Sequence, residues 1–250
     1  MRSGLHKHCI LLRAPVCGKP IPRHSSPTPA FVKYSDLSVV IPAAGAGERL
    51  GLGPKASLEL AGKPILTWLT DKLSRLSDEV IVAVPPGQLS QFETLCPTAR
   101  CIEGGVTRQE SVERLFAASS RPWILLSDAA RPFITPGLCV AVLATARIHG
   151  AAAAALTPDV PVSRIREGFF SEVLIPRDTG IFQTPQVFSR TVLETTLARA
   201  KAEGWAEQST LQLVLRAGFR AAAVPGEKTN IKLTTPEDWR FGQSLIDLLP

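Results

Sequence analysis

Short apolar runs alternate with segments of helical periodicity along most of this chain. The runs at 37–41, 79–85 and 123–128 are rich in Val, Ile and Leu. Between them, residues 64–76 and 107–118 carry apolar side chains at the spacing of an amphipathic helix. Continuous apolar strands that alternate with helices are typical of a mostly parallel sheet covered on both faces. The sequence therefore predicts an α/β fold of this kind.

The same alternation continues to the C-terminus, with one interruption. The further predicted helices are 86–95, 136–149, 189–202, 209–217 and a last one from Pro236, and the further predicted strands are 100–103, 151–156 and 220–224. Residues 158–186 contain four prolines and no helical period, and we expect an arm at about 157–182. Ligands of such sheets gather at the carboxyl ends of the strands, so the loops at 42–55, 103–108 and 127–132 are predicted to share one edge.

The first 35 residues differ in composition from the rest. They hold six of the 28 basic residues, no acidic residue, and a Ser- and Pro-rich stretch at 20–29. We expect a disordered basic leader here and a single domain over residues 36–250. Three interpretations of the leader stay open: a dispensable tail or over-extended start, a targeting peptide for an organelle such as a plastid, or a metal or partner role for its cysteines and histidines.

Charge and composition argue against two classes of partner. The net charge of +6 comes from the leader, because the remainder has 22 basic and 22 acidic residues. No extended basic surface for a nucleic acid is therefore expected. No apolar run approaches the roughly 20 residues that cross a bilayer, so no membrane partner is expected. Cys96, Cys101 and Cys139 lack C-x-x-C spacing, which disfavours a disulfide framework and a zinc site and favours a reducing, bacterial cytoplasmic location.

The first predicted strand leads into the glycine-rich segment "PAAGAGERLGLGPK" at 42–55. A dinucleotide fingerprint would need a small residue where Leu50 stands, and a Walker-type loop would need Gly-Lys-Ser/Thr where Lys55 follows a proline. Backbone N–H groups at such a junction bind anions, and Arg49 and Lys55 add full positive charge. The segment is therefore predicted to hold phosphate by a different arrangement.

Cations and small residues recur at the predicted strand ends, whereas the body has one histidine, His149. This disfavours a Ser-His-Asp relay and a histidine-rich metal site. A phosphate monoester that attacks a nucleoside triphosphate needs no general base, because its nucleophile is already an oxyanion. Catalysis then consists of positioning and charge neutralisation. Asp128, at a strand end, is the predicted ligand of Mg²⁺ or another divalent cation.

Five motifs follow one another along the chain: "PAAGAGERLGLGPK" at 42–55, "GGVTRQESV" at 104–112, "SDAARPF" at 127–133, "QTPQVF" at 183–188 and "TNIKLTTPEDW" at 229–239. With these motifs the chain resembles, over residues 37–240, the 2-C-methyl-D-erythritol 4-phosphate cytidylyltransferase family of the non-mevalonate isoprenoid pathway. The resemblance implies a Rossmann-like nucleotidyltransferase fold. It also implies CTP and a small sugar-alcohol phosphate as substrates, and a homodimer formed through the arm.

The resemblance further implies a role for each matching residue. Arg49 and Lys55 would bind the triphosphate, Lys232 would act near the α-phosphate, and Asp128 and Ala129 would meet the ribose and the metal ion. The residues implied at the cytosine are Ala43, Ala44, Gly45, Gly104 and Ser111. Those implied at the methylerythritol phosphate, in part from a partner subunit, are Arg131, Arg177 and Thr184. The implied catalytic set is Arg49, Lys55, Lys232 and Arg177.

The arm departs from the family pattern at 163–165, which reads Ser-Arg-Ile and lacks a threonine that would contact the sugar phosphate. Two alternatives to the implied function stay open. One is a pentitol-phosphate cytidylyltransferase, which the residues at 43–44 and 128–131 disfavour. The other is a non-catalytic nucleotide-binding protein of the same fold.

Overall fold

Seven strands of the described chain form one sheet; the structure, a computed structural model, describes residues 33–45 and 55–249. In spatial order the strands are β11 (Ala222–Pro225), β7 (Ala151–Leu156), β10 (Ile181–Ser189), β6 (Trp123–Leu126), β1 (Leu37–Pro42), β4 (Glu79–Val84) and β5 (Arg100–Glu103). Neighbouring strands are parallel, except that β10 runs antiparallel to both β6 and β7. The predicted mostly parallel sheet is confirmed.

Two hairpins lie outside this sheet. β2 (Glu59–Leu60) pairs with β3 (Lys63–Pro64), and β8 (Val162–Arg166) pairs with β9 (Phe169–Leu174). The α-helices of the described chain are α1 (Ile65–Leu73), α2 (Leu89–Leu95), α3 (Arg108–Ala118), α4 (Pro136–His149), α5 (Arg190–Ala202), α6 (Thr210–Arg216) and α7 (Pro236–Ser244). In the described ranges no helix has both the length and the apolar character needed to cross a membrane.

Helices cover both faces of the sheet and bury its strands. Along β1, Val39 and Ile41 contribute to one apolar layer and Val40 to the other, as the alternation of a strand requires. The layer of Val39 also takes side chains from α1, α2 and α4, and the layer of Val40 takes side chains from α3, α5 and α6. Each fully buried Val or Ile stabilises the fold by about 1.5–3 kcal/mol, so the sheet is a firm base for the loops at its edge.

A third apolar cluster ties the C-terminal segment to the loop after β6. Helix α7 begins with a capping box, in which Thr235 Oγ1 accepts a hydrogen bond from the Asp238 N–H and the Asp238 carboxylate accepts one from the Thr235 N–H. Leu233, just before this cap, belongs to the same cluster as Phe133. This packing brings the neighbouring Lys232 to the loop after β6.

One edge of the sheet collects the loops that the sequence singles out. Four neighbouring strands are parallel, namely β6, β1, β4 and β5, so their carboxyl ends lie together. Because β10 is antiparallel to β6, it starts at this edge of the sheet. Its residue Gln186 pairs with Leu126, the last residue of β6. Thr184 therefore lies beside the loop that carries Asp128. The predicted grouping of the loops at 103–108 and 127–132 agrees with this arrangement.

Three sequence predictions need correction. The stretch 158–186 was predicted to leave the sheet, but its last residues begin β10; the polar side chains of Gln183, Thr184 and Gln186 are buried there and give no apolar signal. The short β2–β3 hairpin was not predicted, and the helix predicted from residue 86 begins at Leu89. Residues 1–32 of the predicted leader lie outside the described residues.

Tyr34 belongs to the folded domain, although the sequence placed residue 34 in the leader. Its ring packs against the main apolar cluster, and its N–H donates to the carbonyl oxygen of Leu76 at 2.8 Å. A residue held in this way has both a backbone partner and buried apolar contacts. The folded domain therefore includes Tyr34, ahead of β1.

Candidate active site

Asp128 follows β6 and lies at the centre of a cluster of cations. Its Oδ1 atom is 3.0 Å from Arg108 Nη2, and its Oδ2 atom is 2.8 Å from Lys232 Nζ and 3.8 Å from Arg131 Nε. The Asp128 side chain is 12% exposed, whereas those of Arg108 and Lys232 are 31% and 39% exposed. One carboxylate thus holds three cations together, and Arg131, with its side chain 10% exposed, is the least accessible of the three.

The cations keep Asp128 ionised. Burial alone would raise the pKa of this carboxyl group, but the charges of Arg108 and Lys232, with a smaller contribution from Arg131, lower its pKa to about 2. Burial also lowers the pKa of Arg131, and the charge of Asp128 opposes that change. At neutral pH the cluster therefore has one negative and three positive side chains. Its net positive charge favours a polyanion such as a triphosphate.

Hydrogen bonds from three directions hold the loop that carries Asp128 and Arg131. The Asp128 N–H donates to Thr184 Oγ1 at 3.0 Å, and the Arg131 N–H donates to the Asp128 carbonyl oxygen at 3.1 Å. On the other side, the buried Lys72 of α1 donates from Nζ to the carbonyl oxygen of Pro132 at 3.1 Å. The loop therefore presents its charged side chains from a fixed backbone.

The segment between β11 and α7 places Lys232 against this loop. The Leu233 N–H donates to the carbonyl oxygen of Ala130 at 2.8 Å. Asn230 Nδ2 donates to the carbonyl oxygen of Thr184 at 2.7 Å, and Arg131 donates from Nη1 to the carbonyl oxygen of Asn230. Lys232 thus lies between two anchored residues, which limits where its ammonium group can go.

Arg108 comes from the first turn of α3. The preceding Thr107 caps this helix, since its hydroxyl oxygen accepts from the Glu110 N–H at 3.1 Å. Arg108 spans the gap between two segments: Nη2 contacts Asp128, and Nη1 donates to Thr210 Oγ1 at 3.3 Å. It is therefore a member of the cation cluster, although the sequence analysis gave it no role.

A second group of predicted residues meets where β1 and β5 end. A Cβ atom added to Gly104 would lie 2.4 Å from Ala44 Cβ, 2.9 Å from Ser111 Oγ and 3.2 Å from the carbonyl oxygen of Val84. Ser111 Oγ accepts from the Gly105 N–H at 3.1 Å and donates to the Thr107 carbonyl oxygen at 3.0 Å. These small residues leave backbone and hydroxyl groups at close range, as a flat base edge requires.

The structure brings most of the predicted site residues into these two groups. Asp128, Arg131, Thr184 and Lys232 form the cation cluster, and Ala129 follows Asp128 with its side chain buried. Ala44, Gly104 and Ser111 form the small-residue group. The remaining residues predicted near the cytosine, Ala43 and Gly45, flank Ala44 after β1, and the Ala43 N–H donates to the Ala83 carbonyl oxygen at 2.7 Å.

Three predicted catalytic residues are not placed in the site. Arg49 lies outside the described residues, as does the side chain of Lys55, whose backbone begins the short 3₁₀ helix Lys55–Ser57. Arg177 lies in the 3₁₀ helix Pro176–Asp178 with its side chain 83% exposed, and within the described residues its ion pair is with Asp178 at 3.8 Å, not with the Asp128 cluster. The roles of all three stay predictions.

Sequence reasoning gave no individual role to two site residues, Arg108, which it counted only among the cations at the predicted strand ends, and Asn230. Both stand inside the quoted motifs, at 104–112 and 229–239, but neither has a local signal of its contacts. Arg108 reaches an acid 20 positions away, and Asn230 reaches a carbonyl 46 positions away. The one available signal for Arg108 was its position at the start of a helix after two glycines, beside a predicted phosphate site.

Asp128 suits a divalent cation as a single protein ligand. Among the described residues there is no group of three or more His, Cys, Asp or Glu side chains that could hold a metal ion. Mg²⁺, however, needs no such group, because it takes one or two carboxylates and completes its shell with phosphate oxygens and water. The lowered pKa of Asp128 provides the ionised carboxylate that this mode of binding requires.

The three cysteines of the described residues and His149 lie outside both groups of site residues. Cys96, Cys101 and Cys139 are free and buried, and burial raises the pKa of Cys96 to about 12 and of Cys101 to about 11. Thiols with such values are poor nucleophiles at neutral pH. His149 is the exposed last residue of α4. None of these four side chains was predicted to be catalytic.

Comparison with known proteins places this geometry in a family. The model of the 2-C-methyl-D-erythritol 4-phosphate cytidylyltransferase family matches residues 37–247. Proteins of that name from Deinococcus radiodurans and Thermus thermophilus are 41% and 40% identical to the chain, over 83% and 84% of its length and 88% and 97% of theirs. A crystal structure of the Thermus thermophilus enzyme matches with a TM-score of 0.73 at 35% identity, covering 85% of this chain and 99% of its own. This chain therefore belongs to the 2-C-methyl-D-erythritol 4-phosphate cytidylyltransferase family of nucleotidyltransferases.

Proposed function

We propose that this protein transfers the cytidylyl group of CTP to 2-C-methyl-D-erythritol 4-phosphate and releases pyrophosphate. The observation that carries the proposal is the Asp128 cluster, in which Arg108, Arg131 and Lys232 surround one carboxylate at the edge of the sheet. The related proteins that bear this activity in their names span nearly the whole described domain. Family and charge arrangement thus support the same reaction.

The small-residue group at Gly104 is the proposed site of the cytosine. Its neighbours Ala44 and Ser111 would lie against the base, and the Ser111 hydroxyl offers a group that can bond a base edge. The preference for cytosine over other bases is proposed from the family to which the chain belongs, and a comparison of nucleotides tests it.

The transfer itself requires charge neutralisation more than proton transfer. An oxygen of the sugar phosphate attacks the α-phosphorus of CTP, a new P–O–P bond forms, and the bond to the β-phosphate breaks as pyrophosphate leaves. The attacking oxygen is already ionised, so no base is needed. Lys232 and Arg108 lower the repulsion between the two anions, while Arg131 and Thr184 hold the acceptor phosphate. Arg49 and Lys55 would add charge at the triphosphate.

A divalent cation, proposed to be Mg²⁺, would bind Asp128 together with phosphate oxygens of the nucleotide. When bound, it would supply further positive charge against the phosphates. Asp128 also acts as an ionised anchor, since its carboxylate pairs with Lys232 and Arg108. Chelation by EDTA should abolish turnover, and added Mg²⁺ should restore it.

The decisive experiment follows pyrophosphate release with purified protein, CTP, Mg²⁺ and 2-C-methyl-D-erythritol 4-phosphate. We expect turnover with this acceptor and CTP, and much weaker turnover with ATP, GTP or UTP. Ribitol 5-phosphate serves as the competing acceptor, because the arm departs from the family pattern at 163–165. Folded protein that releases no pyrophosphate with the methylerythritol substrate would contradict the proposal.

We also propose that the protein acts as a homodimer through the β8–β9 hairpin. This hairpin carries exposed apolar side chains on an extended ribbon, namely Ile165, Phe169, Phe170 and Val173. Apolar surface of this kind favours burial against another protein, and a second copy would also bring the exposed Arg177 near a site. Sedimentation should give the dimer mass, and a Phe169→Ser/Phe170→Ser variant should give the monomer. A monomer in the unaltered protein would contradict the proposal.

A further inference from the structure

Asn230 joins three segments that form the active site. It is fully buried, two residues before Lys232, in the segment between β11 and α7. Its Nδ2 donates to the carbonyl oxygen of Thr184 at 2.7 Å, and its own carbonyl oxygen accepts hydrogen bonds from Gln183 Nε2 at 3.2 Å and from Arg131 Nη1. A single residue thus contacts the strand of Thr184 and the loop of Arg131.

The hydrogen bond to Thr184 continues to Asp128. The hydroxyl oxygen of Thr184 accepts from the Asp128 N–H at 3.0 Å, so two successive bonds lead from the Asn230 amide to the backbone of Asp128. Thr184 is itself 2% exposed, and its position depends on its contacts with Asn230 on one side and Asp128 on the other. A shift of the Thr184 carbonyl would move the hydroxyl group and release the Asp128 loop.

The amide of Asn230 is poorly explained by stability alone. Its Oδ1 atom is buried and has no hydrogen-bond partner among the described residues. A buried polar atom without a partner costs free energy, and an apolar side chain of similar size would avoid that cost. The amide supplies an Nδ2 donor, which an apolar group lacks, and this donor is directed at Thr184.

We propose that Asn230 is a positioning residue for the acceptor half of the site. Its side chain fixes Thr184 and, through Thr184, the Asp128 loop, while its backbone carbonyl fixes Arg131. Asn230 does not touch the reacting atoms. The kinetic consequences rest on the proposed transfer to a sugar phosphate, whereas the structural consequence is independent of any substrate.

The structural consequence is tested by hydrogen–deuterium exchange of the substrate-free protein. Asn230→Ala removes the donor, and the nearly isosteric Asn230→Leu removes it while keeping the size of the side chain, so that one variant remains informative if the other does not fold. Loss of one hydrogen bond corresponds to roughly tenfold faster exchange at the Asp128 amide. Leu193→Ala, which removes the same number of heavy atoms from the buried face of α5, is the matched control and should not accelerate exchange selectively there. Unchanged exchange at residues 127–131 in both Asn230 variants would overturn the proposal.

The kinetic consequence is a larger increase in KM for the acceptor substrate than for CTP. Both Asn230 variants should raise KM for the methylerythritol phosphate roughly tenfold, by the same conversion, and raise KM for CTP by a smaller factor, because the Asn230 amide reaches Asp128 only through Thr184. Leu193→Ala should leave both values near those of the unaltered protein. Equal changes for the two substrates, or none, would count against a positioning role. If the unaltered protein shows no turnover, the proposed function fails, and the exchange experiment still decides the role of Asn230.

Discussion

Lys232 is the cation whose loss should cost the most activity among the described residues. Its Nζ lies 2.8 Å from Asp128, yet the side chain is 39% exposed, so it can turn to an incoming phosphate. Lys232→Met removes the charge and keeps the length of the side chain. Loss of one preorganised group that stabilises transition-state charge lowers kcat about 10²- to 10³-fold. Steady-state pyrophosphate release at saturating CTP measures this change.

Lys228 offers the control for Lys232 in the same segment. It is mostly exposed and pairs with Asp159 at 2.5 Å, remote in sequence from the Asp128 loop. An exposed ion pair of this kind contributes about 0–1 kcal/mol, so Lys228→Met should change neither stability nor kcat appreciably. If the two variants lose activity equally, general loss of positive charge is the cause and the specific role of Lys232 is wrong.

Gly104, which follows β5, lies so close to the ends of β1 and β4 that a methyl group has no room there. In Gly104→Ala the new Cβ would meet Ala44 and the carbonyl oxygen of Val84, neither of which is a flexible side-chain end. Such overpacking typically costs about 1–3 kcal/mol and moves the backbone. We expect a lower free energy of unfolding, measured with urea, and a raised KM for CTP.

Gly137→Ala is the control for Gly104→Ala, because it makes the same substitution at a glycine away from the proposed cytosine site. It lies in the first turn of α4, and a Cβ there would meet Thr135 Oγ1 at 3.9 Å, an ordinary contact. Gly137→Ala should raise the free energy of unfolding by up to about 1 kcal/mol, because alanine favours the helix, and should leave KM for CTP unchanged. A Gly104→Ala variant with the stability and KM of the unaltered protein would contradict the proposed cytosine site.

Elements with a local pattern could be predicted, and elements that depend on distant partners could not. β1 and β4 are continuous apolar runs, so burial on both faces was already visible in their sequences. In β10 the buried polar side chains include Gln183, which donates to the Glu227 carbonyl oxygen, and Gln186, which donates to Ser209. Those partners are far along the chain, so nothing near β10 reveals that its polar residues find hydrogen-bond partners in the interior.

The same distinction applies to the site as a whole. The motifs predicted that Asp128, Arg131, Thr184 and Lys232 belong together, because strand ends of a parallel sheet share one edge. The contacts of Thr184 and Lys232 with Asp128 were not predictable, since they depend on the antiparallel direction of β10 and on the packing of Leu233 beside Phe133. Sequence therefore identified the charges, and the fold determines which of them meet at one carboxylate.

The stability of the whole molecule should depend on pH through Asp128. Its pKa is lowered from 3.8 to about 2 in the folded protein, chiefly because the charges of Arg108 and Lys232 outweigh the effect of burial. Above about pH 4 the group is ionised in both states, and the full stabilisation is present. As pH falls, the unfolded chain binds the proton first, so stability is lost progressively until the folded group is protonated near pH 2. A shift of this size corresponds to about 2 kcal/mol.

Comparison with Asp128→Asn separates this contribution from that of the other acids. The pKa values of Glu79 and Asp238 are also lowered, against the effect of burial, by the hydrogen bonds that each carboxylate accepts, so acid weakens the fold through them as well. Asp128→Asn leaves those groups intact and removes one titration, while Arg108, Arg131 and Lys232 lose their shared anion at every pH. We expect the variant to be less stable at pH 7, and the difference in free energy of unfolding to narrow by about 2 kcal/mol between pH 5 and pH 2. Urea unfolding at low salt measures the two curves. Parallel curves across this range would mean that the cations do not hold Asp128 as an ionised anchor, because a carboxyl group that titrates alike in both states adds no pH dependence.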